Sequence, residues 1–397
     1  MSTSSGSSLR SKLTVERLED RTVPTFLPRT GLPLPAISNN TPFPPLGQGG
    51  QSIAIGSVFP GTSASTNSQY VLGTGPGIVD NVLVFDVNGN LLSQFVPFPG
   101  FLGGINVAVG DVLGLGSDQI VVTEAAGGTP IVGVFSGSGQ MLNEFFANGN
   151  TTFTGGLNVA VGHVEGGIVS RFNNTVQFPD QIILGTASAL PAVLVTNGQG
   201  NVLQSFFAFD SRSGVGVTVA AADIDTTATP GSGGGLFKPD TNAFDEIIVG
   251  AASKAPAVAV FDVFQGVQQR ELFFAFDTTV AANMNGVTVA AGTTSGTRGA
   301  QIYVALVGSS TVRAFAGQSG ALLAQFTVYP PTYSRVVNLA VGHIKNPLNL
   351  VTNGIADFDS NDLAVVAGDG PFLQIPRLFF GAFPRTPGNT IAGLNGP

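Results

Sequence analysis

The chain holds only two histidines, and both stand in the same place: His163 and His343 each directly follow Ala-Val-Gly. An imidazole pair of this kind could act as an acid and a base, or hold a metal. Other copies of the motif put Ser57, Asp111, Asp223 or Thr293 at that place. A position that accepts any polar residue reads equally as a turn, and two ligands make a poor transition-metal site. Carboxylates gather nearby. Asp111 and Asp118 bracket one short loop; Asp223, Asp225, Asp240 and Asp245 mark a longer one; Asp357, Asp359 and Asp362 bunch before a late apolar stretch. Such side chains commonly cap turns by accepting backbone N–H bonds. A carboxylate pair for glycoside chemistry is not assignable among loops so far apart in the chain. No Gly-x-Ser-x-Gly elbow stands between a strand and a helix, and "GTGPG" (73–77) has neither a following helix nor a lysine, so it is not a phosphate loop.

Composition narrows the field further. Charged residues are only 10% of 397, against a usual share of about 25%. The net charge is −8 and no run of Lys and Arg exists, which argues against a nucleic-acid partner. There is no cysteine, hence no disulfide and no thiolate zinc site. No apolar run approaches the ~18 residues of a membrane helix. With 54 Gly and 25 Pro, the chain suits many short strands joined by tight turns.

The elements that position these residues come from a repeat. "GGINVAVGD" (103–111) returns at 155–163, 215–223 and 285–293, and in looser form at 49–57 and 335–343. The starts are 54, 52, 60, 70 and 50 residues apart. After each copy come three more short apolar pieces, exemplified by "SDQIVVTEA" (117–125), "IVGVFSGSG" (131–139) and "QMLNEFFAN" (140–148). Gly- and Asn-rich turns such as "DVNGN" (86–90) join the third and fourth pieces as hairpins. Four antiparallel strands in roughly 50 residues is the arithmetic of a β-propeller blade. The expected fold is all-β, a β-propeller of six four-stranded blades. A solenoid or open sandwich is the alternative. The small first strand belongs at the central axis and the Phe-rich fourth at the rim, with "FFAF" serving blade packing. The last unit lacks a clear fourth strand, so residues around 31–46 are expected to close it. The expected divisions are 1–23, a terminal segment; 24–42, a Pro-rich linker with a possible closing strand; 43–383, the propeller, with units near 51–104, 105–156, 157–216, 217–286, 287–336 and 337–383; and 384–397, a tail.

These units resemble FG-GAP repeats, the blades of integrin-α-like propellers. "VAVGDVLGLGSDQIVV" (107–122), "VAAAD…DEIIVG" (219–250) and "LAVGH…NDLAVVAG" (339–368) carry the resemblance. It implies Ca²⁺ on the loops, because clustered oxygens meet a hard cation's need for six to eight ligands. Asp223, Asp225, Asp240 and Asp245, and Asp357, Asp359 and Asp362, are the better candidates. Asp111 and Asp118 alone are too few for a tight site. Separately, "LTVERLEDRTVP" (13–24) resembles a sorting motif of planctomycete surface proteins, which implies an extracellular or cell-surface location.

The function expected from this reading is that of a non-enzymatic surface protein, a monomeric propeller binding a protein or polysaccharide through its loops. The alternatives are a polysaccharide lyase or hydrolase using acids at a channel mouth, where Ser57, His163, Thr293 and His343 are possible polar positions, and a structural envelope component. The long loops around 171–178 and 226–239 follow first strands, so both belong on one face, and insertions on one face often mark a binding face.

Overall fold

A computed structural model describes residues 52–59, 68–86, 90–165, 168–169, 176–177, 179–224, 244–264, 266–292, 300–317, 319–327, 334–343, 361–367 and 373–374. The first blade is β1 (Ser52–Gly56), β2 (Gln69–Gly73), β3 (Val82–Phe85) and β4 (Leu91–Phe95). The second is β5 (Ile105–Gly110), β6 (Gln119–Glu124), β7 (Ile131–Phe135) and β8 (Met141–Phe146). The third begins with β9 (Leu157–Gly162). A small hairpin, β10 (Ile168–Val169) and β11 (Val176–Gln177), follows, and then β12 (Gln181–Thr186), β13 (Ala192–Thr196) and β14 (Val202–Phe207). The fourth is β15 (Val217–Ala222), β16 (Glu246–Ala251), β17 (Ala257–Asp262) and β18 (Gln268–Phe274). The fifth is β19 (Val287–Gly292), β20 (Gln301–Leu306), β21 (Thr311–Ala316) and β22 (Leu322–Thr327). The last sheet is β23 (Val337–His343), β24 (Asn361–Ala367) and β25 (Leu373–Gln374).

Within each sheet the strands pair in sequence order and antiparallel, so the structure is a β-propeller arrangement of five four-stranded blades. The expected six four-stranded blades are therefore corrected. The last sheet has three strands among the described residues. The segment 31–46, expected to supply its fourth, lies outside them. Strand β23 packs between β19 and β1.

Each strand's composition follows from its place. The second strands β6, β16 and β20 are buried along their whole length, because blades cover both their faces. Their apolar runs form cores between neighbouring blades rather than within one. Burying one such Ile or Val contributes about 1.5–3 kcal/mol. The outer strands alternate instead. Phe95, Phe206 and Phe273 tuck against Phe135, Phe261 and Phe315 of the following blade, with ring centroids 5.1, 4.7 and 5.0 Å apart. The "FFAF" rings divide: Phe206 and Phe273 pack between blades as expected, whereas Phe207 and Phe274, like Phe146 at the same place in "FFAN", face outward.

The inner strands explain why the nine-residue motif recurs. Its second strand position carries a polar side chain that reaches the next blade. Asn106 Nδ2 donates to Leu157 O (2.8 Å), Asn158 Nδ2 to Val217 O (2.7 Å), Thr218 Oγ1 to Val287 O (3.0 Å) and Thr288 Oγ1 to Val337 O (2.6 Å). Its closing glycine exists for close approach. A Cβ at Gly56, Gly110, Gly162, Gly292 or Gly342 would strike Val109, Val161, Ala221, Val341 or Ile55 of the neighbouring strand. Gly342 against Ile55 joins the last inner strand to the first.

Candidate functional site

The connections from first to second strand and from third to fourth strand emerge on one face. The hairpin glycines Gly137, Gly198 and Gly317 press against Val58, Val112 and Ile224, residues that follow the preceding blade's first strand. Of the acids singled out in the sequence, Asp111, Asp118, Asp223 and Asp245 lie on this face among the described residues, joined by Asp180, which the sequence reading did not single out.

The aspartate that precedes a second strand reaches back to the blade before it. Asp118 Oδ2 accepts the Ser57 N–H (2.6 Å), Asp180 Oδ2 that of Asp111 (3.0 Å) and Asp245 Oδ2 that of His163 (2.8 Å). Each returns a bond through its own backbone. The N–H groups of Asp118, Asp180 and Asp245 donate to Ser57 O, Asp111 O and His163 O at 3.2, 3.1 and 2.8 Å. Every latch is thus two-way. Asp245 also accepts the Asp223 backbone N–H. Burial raises the carboxyl pKa of all three above the ordinary range, opposed by these same backbone bonds. The residue after each aspartate, and Gln69 at the same place in the first blade, serves its own blade. Buried Gln69, Gln119 and Gln181 accept the N–H groups of Phe59, Leu113 and Val164, and Glu246 accepts that of Ile224.

Asp111 caps a turn. Its two oxygens take the N–H groups of Leu115 and Gly116, both at 2.8 Å, and Gln119 Nε2 adds a third bond at 3.2 Å. The 111–118 loop therefore fits a calcium ion poorly, since its carboxylates are spent on backbone donors. Among the described residues no group of three or more His, Asp or Glu could hold a metal. Asp225, Asp240, Asp357, Asp359 and Thr293 lie outside the described residues. Asp362 pairs with Gly342 in β24, and His343 ends β23 opposite Asn361. Ser57 is one latch donor. His163 directly follows β9 and His343 ends β23, two non-adjacent inner strands.

His163 belongs to a feature that sequence reasoning missed. Its ring stacks on Phe244 at a centroid distance of 5.3 Å, and Phe244 stacks on Phe264 at 4.0 Å. Phe264 is 40% exposed, so the ladder ends at the surface. Burial lowers the imidazole pKa below its ordinary value, against the opposing pull of nearby Asp180. A sequence signal was present. Phe264 sits in a hairpin turn where two other blades place Ser138 and Gln199. An apolar ring among polar turn residues departs from the repeat.

No family model and no curated protein matches this sequence. Among solved structures, the chain is similar to Saccharomyces cerevisiae Sqt1, at 9% identity over 80% of this chain and 71% of that one, with a TM-score of 0.41. No helix among the described residues is long and apolar enough to cross a membrane.

Proposed function

We propose that this chain is a non-enzymatic interaction protein that holds a protein or polysaccharide partner on the face bearing the His163–Phe244–Phe264 stack. One observation carries the reading. Asp111, Asp118, Asp180 and Asp245 on that face are committed to backbone N–H groups, whereas the aromatic ladder ends exposed. An acid–base site needs groups converging on a substrate atom; here the acids fasten blade to blade and the surface offers a ring. The FG-GAP resemblance and the propeller arrangement support an interaction role, and the sorting-like segment 13–24 supports display at the cell surface.

The absence of cysteine provides the test. Ser138→Cys places a single thiol on the hairpin side, and Ser211→Cys places one on the opposite side. A maleimide-coupled polyethylene glycol chain at Ser138→Cys is expected to abolish binding to the surface of the source cells, and the same chain at Ser211→Cys to leave it intact. Equal binding by both conjugates would overturn the reading. Calcium enters this proposal through the loops at 223–245 and 357–362. Melts of the full chain in calcium and in chelator are expected to differ by a few degrees if those loops bind at about 100 times the dissociation constant. Coincident melts would remove calcium from the proposal.

A further inference from the structure

Resting on that reading, we propose that the exposed face of Phe264 is a docking ledge for an arginine side chain in a basic segment of a protein partner. The chain itself contains a filled version of this arrangement. The Arg313 guanidinium lies over the Phe276 ring with Cζ 4.6 Å from the centroid, and its charge is felt by Asp277. A cation is drawn to an aromatic face by the ring quadrupole, and a nearby carboxylate adds to the attraction.

The same two components surround Phe264. Asp262 Oδ1 accepts the Phe264 N–H at 3.0 Å. Asp245 adjoins Phe244 and lies 2.8 Å from the His163 backbone nitrogen. Asp180 acts electrostatically on His163, and Glu246 follows Asp245. Arg270 is the cation in contact with these acids among the described residues. It is already engaged, 2.6 Å from Asp262 and 3.9 Å from Glu246. The local charge is therefore negative, in keeping with the −8 of the whole chain. An exposed aromatic ring set in negative potential complements a guanidinium, which is planar, weakly hydrated and able to stack. A neutral sugar would instead call for convergent hydrogen-bonding groups, and the oxygens here are occupied by backbone donors.

The experiment measures fluorescence anisotropy of the full chain with a fluorescein-labelled nonapeptide of alternating Arg and Gly. The comparison peptide replaces each Arg by citrulline, which keeps the shape and removes the charge. Binding of the arginine peptide is expected to exceed that of the citrulline peptide at least tenfold and to weaken at higher salt. Phe264→Ala is expected to lose about two- to fivefold in affinity, and Phe264→Tyr to retain it. Phe207→Ala, at the rim, is expected to change nothing. A melt of each variant checks folding, which an exposed ring does not control. Equal affinity of Phe264→Ala and the parent, or equal binding of both peptides, would overturn the ledge. If a neutral oligosaccharide binds in a manner blocked at Ser138→Cys while the arginine peptide does not, the ledge falls and the interaction face stands. If neither probe binds and both polyethylene glycol conjugates keep cell-surface binding, the two readings fall together.

Discussion

The junctions between the first four blades differ from the junction made by the fifth. The former each carry a partly buried aspartate that fastens the preceding blade. At the corresponding place the fifth blade has Ala300, and the last sheet has Asn361. The difference is compensated rather than careless. The N–H that a fifth-blade aspartate would accept belongs to Asp223, and Asp245 already takes it from within its own blade. One carboxylate serves two donors, and the next is dispensable. What all the junctions share is the inner collar, where Gly or Ala meets the neighbour's small apolar residue. The collar determines how closely the blades approach, and the aspartates satisfy the polar groups that this closeness buries.

The comparison breaks most severely at the other end of a latched junction. Gly156 has φ of 71°, and a Cβ there would strike the Ala125 carbonyl. Gly156→Ala is expected to cost about 4 kcal/mol in urea unfolding, from combined strain and overpacking. A pH series probes the junction of the first two blades. Asp80 is wholly buried, its Oδ1 accepts the Gly104 N–H, and its Oδ2 has no hydrogen-bond partner. Burial, with Glu124 adding to it, pushes its carboxyl up to about 6. The native state therefore holds this proton more tightly than the unfolded chain does. The stabilisation is complete below about pH 4 and is lost as pH rises to 6, a change of roughly 3 kcal/mol. Asp80→Asn should flatten that part of the profile.

Smaller effects sharpen the comparison. Asp245→Ala is expected to cost about 2–3 kcal/mol and Asp118→Ala about 1–1.5, since the first strands two backbone donors and the second one. Equal costs would remove the account of why Ala300 is tolerated. Ala300→Asp, finding its donor already taken, should gain less than about 0.5 kcal/mol, and a larger gain would show an unsatisfied junction.

Strand order, hairpins and the inner motif were legible because each rests on local chemistry: short β-branched runs, Gly–Asn turns, a small residue at a crowded axis. The repeat also made one junction inform the others. The roles of the acids were not legible. Asp118 and Ser57 stand 61 residues apart and Asp245 and His163 stand 82 apart, so the sequence showed carboxylates in loops without their donors. A family frame that places oxygens on such loops pointed to calcium, yet at 111–118 the oxygens answer backbone N–H groups. The aromatic ladder was hidden for the same reason. His163, Phe244 and Phe264 come from three separate connections, and only the oddity of a Phe in a polar turn marked one of them.

The two-way latches also give assembly a direction in time. Each of the first three blades is fastened by an aspartate that the ribosome adds 61, 69 or 82 residues after the group it caps. A nascent blade has its four strands well before it has its fastener, and it waits, hydrogen bonds open, for the start of the next. Synthesis therefore completes each of these blades one repeat late, and over this stretch the growing end is the least finished part.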